Sequence, residues 1–175
     1  MTTNWQKRIF MSSHELAQLN VAVMKAPLES PAMADFVANL DRINALAESS
    51  PGFLWRLQTE AGDATALRPF GESTLVNMSV WRDIESLNTY VYQSPHVEIL
   101  RRRKEWFERM REAYVVLWWV RKGHRPTISE AIAKLELLRA KGPTQEAFTF
   151  RHAFPAPNAM QPGKPFALGD KCPAS

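Results

Sequence analysis

Residues 15–25 read ELAQLNVAVMK, and their alternation decides how the chain is laid out. Leu16, Gln18, Asn20, Ala22 and Met24 fall on one side of an extended chain, and Ala17, Leu19, Val21 and Val23 on the other. Period two with one wholly apolar side marks a strand with a dry face. The split recurs in TLVNMSVW, Thr74–Trp81, where Leu75, Asn77, Ser79 and Trp81 oppose Val76, Met78 and Val80. In a ferredoxin-like sheet two such strands are adjacent; if the dry face packs on another sheet, the amide-bearing face lies under the helices.

Between them, Met33, Phe36, Val37, Leu40, Ile43 and Ala47 recur at helical spacing, and Phe53–Thr59 reads as a second strand. After Trp81, Asp83 caps a helix. Ser94-Pro95 breaks it and starts another, with Ser as N-cap and Pro in the first turn, running through residues 93–112. EAYVVLWWVRK, residues 112–122, is a fourth strand. The order β-α-β-β-α-β is the ferredoxin-like split βαβ arrangement, an α+β fold. One more helix follows, with a capping box at Thr127 and Glu130 and a stop at Gly142-Pro143. EAFTFRHAF, residues 146–154, reads as an added strand. The chain thus divides into an N-terminal arm (1–13), one domain (14–154) and a proline-rich tail (155–175), expected to be disordered.

Composition narrows the function. A net charge of +4 on 175 residues does not demand an anionic polymer. The run AYVVLWWV is far shorter than the roughly 20 residues of a membrane span, and no signal segment opens the chain, so a cytoplasmic protein is expected. Cys172 is the only cysteine, which removes disulfide and cysteine–zinc chemistry. There is no glycine-rich nucleotide loop and no nucleophile elbow. His124 and His152 have no metal-ligand spacing.

QSPHVEILRRRKEWFERMRE, residues 93–112, holds the candidate chemistry. Its basic run, Arg101–Lys104, spreads around the helix instead of forming a stripe, and most of these charges have acids four residues away. That excludes a nucleic-acid helix. Arg103 differs: Ile99, Leu100, Trp106 and Phe107 surround it on the apolar face. It either pairs with a buried carboxylate or faces a cavity and holds an anionic group. His96 lies two turns earlier, roughly 10 Å along the same line. There the helix dipole disfavours its charged form, so it is either a satisfied core histidine or a neutral base or ligand. Asn20, Asn77 and Trp81 on the amide face are expected beside this pair. Tyr90, Trp106 and, from the second strand, Trp55 (or Arg56, according to register) would complete an aromatic wall. A cleft with aromatic walls and a few polar groups is the makeup of a small-molecule site.

The segments LAQLNVA, FVANLDRINALAESSPGFLWRLQTE, LVNMSVW, YVYQSPHVEILRRRKEWFE and VLWWVRKGHRPTISEAIAKLELLRAKGPTQEAFTFR resemble DUF3291, a domain of unknown function, over nearly all of residues 15–154. That family is similar to the antibiotic-biosynthesis monooxygenases of the dimeric α+β barrel superfamily. The resemblance implies a homodimer with sheets packed face to face. It also implies an oxygenase without cofactor, acting on an aromatic or polyketide-like substrate, with Asn77, Trp81 and Tyr90 as counterparts of an Asn–Trp–Tyr set. His96 would be the base, and Arg103 would stabilise an enolate. The superfamily also implies an alternative, haem bound through a helix histidine, here His96. A third reading is a non-catalytic ligand-binding dimer.

Overall fold

A computed structural model describes residues 13–157. Most of the arm read at the N-terminus, the tail beyond residue 157 and Cys172 lie outside them. The elements are β1 (His14–Val23), a 3-10 turn (Pro31–Met33), α1 (Ala34–Ser49), β2 (Phe53–Arg56), β3 (Thr74–Trp81), α2 (Ile84–Gln93), α3 (His96–Trp106), β4 (Val115–Arg121) and α4 (Ile128–Lys141). The strands form one antiparallel sheet in the order β2-β3-β1-β4, as the split βαβ reading requires.

Register pairs like with like. Gln18 lies opposite Ser79 and Asn20 opposite Asn77, while Leu19 faces Met78 and Val21 faces Val76. Because side chains alternate, one face of the sheet collects the amides and the other the aliphatics. α1, α2 and α3 cover the amide side. The aliphatic side buries Leu19, Val21, Met78, Val80, Val116 and Trp118 against Ala131, Leu135 and Leu138 of α4, with Leu57, Leu67 and Phe70 at its margin.

Within one copy of the chain, the dry face is filled by its own α4 and by the connection between β2 and β3. Leu135 is fully buried under the sheet. Leu135→Ala should lower stability by about 2–5 kcal/mol, from lost burial and the cavity left behind. A shift of the urea midpoint measures it; an unshifted midpoint would mean that α4 does not seal this face.

The end of α3, the added strand and the cap of α4 differ from the sequence reading. The helix begun at Ser94 stops at Trp106 instead of continuing past residue 110. Phe107 turns extended (φ −123°, ψ 148°) and bridges to Met24, with Glu108 N–H donating to Val23 O at 2.8 Å. The backbone there joins the end of β1, and the buried Phe107 anchors it. The added C-terminal strand reduces to two isolated bridges, Leu117 to Phe148 and Thr144 to Ala147. The capping box is half made. Glu130 N–H donates to Thr127 Oγ1 at 3.1 Å, but the Glu130 carboxylate accepts from Trp118 Nε1 (2.9 Å) and meets His124 Nε2 (2.7 Å). A buried indole N–H needs an acceptor, and Glu130 supplies it in place of closing the box. Burial pushes the Glu130 carboxyl upward, and the bonds from His124 and Trp118 outweigh it and hold the group below its ordinary value.

Candidate functional site

The layers part over the middle of the sheet. Asn77 sits at the centre of β3 and is exposed, although Val76, Met78 and Ser79 beside it are buried; its partner Asn20 is half-buried. The opening is a cleft of about 1840 Å³. Its floor is the amide face of β1 and β3. Its walls are α1, α2 and α3, and residues 149–152 close it on the β4 side. Small-molecule pockets usually run from about 300 to 1,000 Å³, so this one has room for a ligand of several rings.

The floor is a hydrogen-bonded grid. Gln18 Nε2 donates to Asn77 Oδ1 (2.7 Å) and to Ser79 Oγ (3.1 Å), and Trp81 Nε1 donates to the same Ser79 Oγ (2.8 Å). Asn77 Oδ1 is thereby engaged, which leaves its amide N–H₂ as the group offered to the cleft. An exposed donor on an otherwise satisfied floor suits an oxygen that carries negative charge.

One wall is a ladder of rings. Phe53 meets Trp81 edge-on at 5.3 Å, Tyr90 stacks on Trp81 at 5.0 Å, and His96 lies against Tyr90 at 4.7 Å. Burial pushes the Tyr90 phenol well above its ordinary value, opposed by Arg56, so it stays a neutral donor, directed at Ile43 O at 3.4 Å. His96 is fixed from both sides. Its backbone N–H donates to Ser94 Oγ at 3.1 Å, which gives Ser94 the capping role read from sequence, and its Nδ1 lies 3.3 Å from Val91 O. A carbonyl can only accept, so Nδ1 carries the proton and Nε2 holds the lone pair. Burial lowers the imidazole pKa below its ordinary 6.5, the Val91 bond opposing. At neutral pH this histidine is an uncharged base.

Arg103 stands at the far end. Its guanidinium lies 4.5 Å over the Tyr114 ring and 5.5 Å from Phe107, and Nη2 reaches Val21 O at 3.5 Å. Seven helical residues separate it from His96, a rise of roughly 10 Å. Both line the same cleft.

The structure therefore brings together His96, Arg103, Asn77, Asn20, Trp81 and Tyr90. It excludes two residues read as site residues. Trp55 pairs with Val80 on the aliphatic side, because the register shifts between Phe53 and Trp55; Arg56 takes the cleft position and is held by Glu48 at 2.8 Å. Trp106 is buried in a separate core with Met33, Leu75 and Phe107, beneath the Arg102 guanidinium at 4.7 Å. Sequence reasoning passed over Tyr114, whose place under Arg103 depends on where α3 ends, and the α1 residues Leu40, Ile43 and Asn44, which line the opposite wall. Among the described residues no three His, Cys, Asp or Glu side chains gather as a metal site, and no helix is long and apolar enough to cross a membrane.

Comparison with known proteins adds the following. The family described as DUF3291, a domain of unknown function, matches residues 15–164. No curated protein matches the sequence. Similar solved structures include NE2512 of Nitrosomonas europaea, a protein of unknown function (16% identity, 66% of this chain and 95% of that one, TM-score 0.41). Another is SnoaB of Streptomyces nogalater, a cofactor-independent oxygenase (16% identity, 65% and 96%, TM-score 0.40). A third is Rv0793 of Mycobacterium tuberculosis (15% identity, 65% and 99%, TM-score 0.41).

Proposed function

The chain belongs to the DUF3291 family, and from that premise we propose that its cleft is the site of a small-molecule enzyme acting on a planar aromatic or polyketide-like substrate. The observation that carries the reading is that an exposed Asn77 amide donor and a neutral, oriented His96 line the same cleft. A substrate with an acidic C–H beside a carbonyl would lose that proton to His96 Nε2. The Asn77 amide would hold the resulting enolate oxygen. Trp81 and Tyr90 would hold the ring plane. Arg103, whose Nη2 lies 3.5 Å from Val21 O beside that floor, would help to stabilise the same charge.

An electron-rich carbanion of this kind reacts with dioxygen without a cofactor. The new C–O bond gives a hydroperoxide, and loss of water leaves a ketone; a CH₂ group and O₂ become C=O and H₂O. The test is protein-dependent oxygen uptake with a hydroxylated anthrone, with the quinone followed by absorbance. Uptake well above the spontaneous rate and proportional to protein is the expected result. A rate no higher than that of a heat-denatured control would remove the oxygenase reading.

One observation favours a second reading. A histidine whose Nδ1 donates to a carbonyl, with the lone pair on Nε2, is the arrangement of a metal-ligating histidine. The cleft has space for a porphyrin, with His96 to bind iron and Arg103 to meet a propionate; haem would supply redox chemistry. Titration with haemin decides it. A sharp Soret band lost in His96→Ala would replace the first reading, and a featureless response would leave it standing.

A further inference from the structure

The oxygen and nitrogen of an amide are nearly equal in size, so the direction of an Asn or Gln side chain is decided by its partners. Asn77, Ser79 and Trp81 alternate onto one face of β3, and Gln18 lies cross-strand from Ser79. Gln18, Ser79 and Trp81 are buried, whereas Asn77 is exposed. Both hydrogens of Gln18 Nε2 are used: one meets Asn77 Oδ1 at 2.7 Å, the other Ser79 Oγ at 3.1 Å. Ser79 Oγ also accepts from Trp81 Nε1 at 2.8 Å. An indole N–H can only donate, so Trp81 anchors the chain of bonds at that end. Turned over, Gln18 would present Oε1 to Asn77 and take up its N–H₂, and the floor would then show the cleft an acceptor. The direction of one buried amide decides which form of a ligand the floor favours.

From this chain of bonds we infer that Gln18 is a positioning residue: it holds the Asn77 amide with its N–H₂ toward the cleft, and so makes the site select the anionic form of a hydroxylated aromatic over the neutral form. This role rests on the reading of the cleft as a small-molecule site. It goes beyond that reading by assigning the selectivity to a residue that acts through Asn77. A hydrogen bond to an ionised acceptor is roughly twice as strong as one between neutral groups, so the end of Asn77 that faces the ligand matters. Gln18→Met removes both donated bonds and keeps an unbranched side chain that fills the same space. Asn77 is then released to turn.

A coloured phenol tests it. 4-Nitro-1-naphthol is planar, and its neutral and ionised forms differ in absorbance. It is titrated with the full chain at the pH where half of the free probe is ionised, and the spectrum of the bound probe gives the ratio of the two forms in the cleft. The parent should favour the anion about tenfold or more, the scale of a charge-assisted hydrogen bond. Gln18→Met should lose most of that preference while its near-UV circular dichroism stays that of the parent. In an Asn77→Leu background the same change should move the ratio no further, because Gln18 acts through Asn77. An unchanged ratio in Gln18→Met, or an equal drop in the Asn77→Leu background, overturns the positioning role and leaves the aromatic cleft in place. A parent without preference for the anion also overturns it. If the probe does not bind the parent, the small-molecule reading falls and this role with it. Should Gln18→Met fail to fold, Gln18→Glu decides. Glutamate nearly matches glutamine in shape and accepts where glutamine donates, so it should turn Asn77 Oδ1 to the cleft and favour the neutral phenol, and less so in the Asn77→Leu background. An equal effect in both backgrounds would be that of the added charge alone and would overturn the role.

Discussion

His96→Gln is expected to lower kcat/KM for oxygen uptake by about 10²–10⁴-fold, the range that a positioned general base contributes. Glutamine nearly matches the side chain in size and keeps hydrogen-bonding capacity, so the Tyr90 contact and the helix start at Ser94 should survive. What it cannot do is accept a proton at neutral pH. The near-UV circular dichroism of the variant should therefore match the parent while turnover collapses. An unchanged rate would take His96 out of the mechanism.

The same residue sets a pH limb. Burial lowers the folded pKa of His96 below 6.5, so the base form persists to more acidic pH than a free imidazole allows. The acid limb of kcat/KM should fall below pH 6.5 and vanish in His96→Gln. Stability follows the same sign. Between the folded and the unfolded pKa the unfolded chain binds more protons, so stability declines as pH falls from 6.5 through the folded value. The glutamine variant should lack that part of the decline. A parent whose acid limb lies above 6.5 would contradict the assignment.

The alternation in Glu15–Lys25 and Thr74–Trp81 made the sheet readable, because a dry face and an amide face are properties of the local pattern. The observed register then brought the two amide rows together, Gln18 beside Ser79 and Asn20 beside Asn77. His96 and Arg103 were readable for the same reason: a polar or charged group on an apolar helical face is a local anomaly. What the pattern could not carry was anything decided by contact between distant segments. Trp55 and Arg56 are adjacent, and a bulge chose between them. Trp106 and Phe107 look like helix residues until the chain beyond them pairs with the end of β1. The dry face carried no mark saying that α4, about 100 residues later, would cover it. Periodicity says which face is buried, and the partner is settled by packing.

Gly52→Ala should be the most destabilising single-methyl change available at the edge of this site. Gly52 has φ +86°, a conformation costly for any residue with a Cβ, and a Cβ built there falls 2.1 Å from Ser86 Oγ and 2.5 Å from Ser86 Cβ. Ser86 cannot easily move aside. Its hydroxyl donates to Asp83 Oδ1 at 2.6 Å and accepts from Arg82 Nη2 at 2.9 Å, and its backbone N–H is the one capped by Asp83 at the start of α2. Backbone strain and overpacking together should cost about 3 kcal/mol or more. In a Ser86→Gly background the steric part is removed, so the same Gly52→Ala change should cost distinctly less, which a double-mutant cycle on urea midpoints measures. Equal costs in both backgrounds would show that Ser86 is not the obstacle. The consequence reaches the cleft, because Gly52 O accepts from Arg82 N at 2.7 Å and so ties the start of β2 to the end of β3. That tie precedes the bulge which turns Trp55 away and Arg56 inward. A chain that relieves the clash by shifting β2 should lose the Arg56–Glu48 pair and the edge contact of Phe53 on Trp81, so any variant that still folds should bind a planar ligand more weakly.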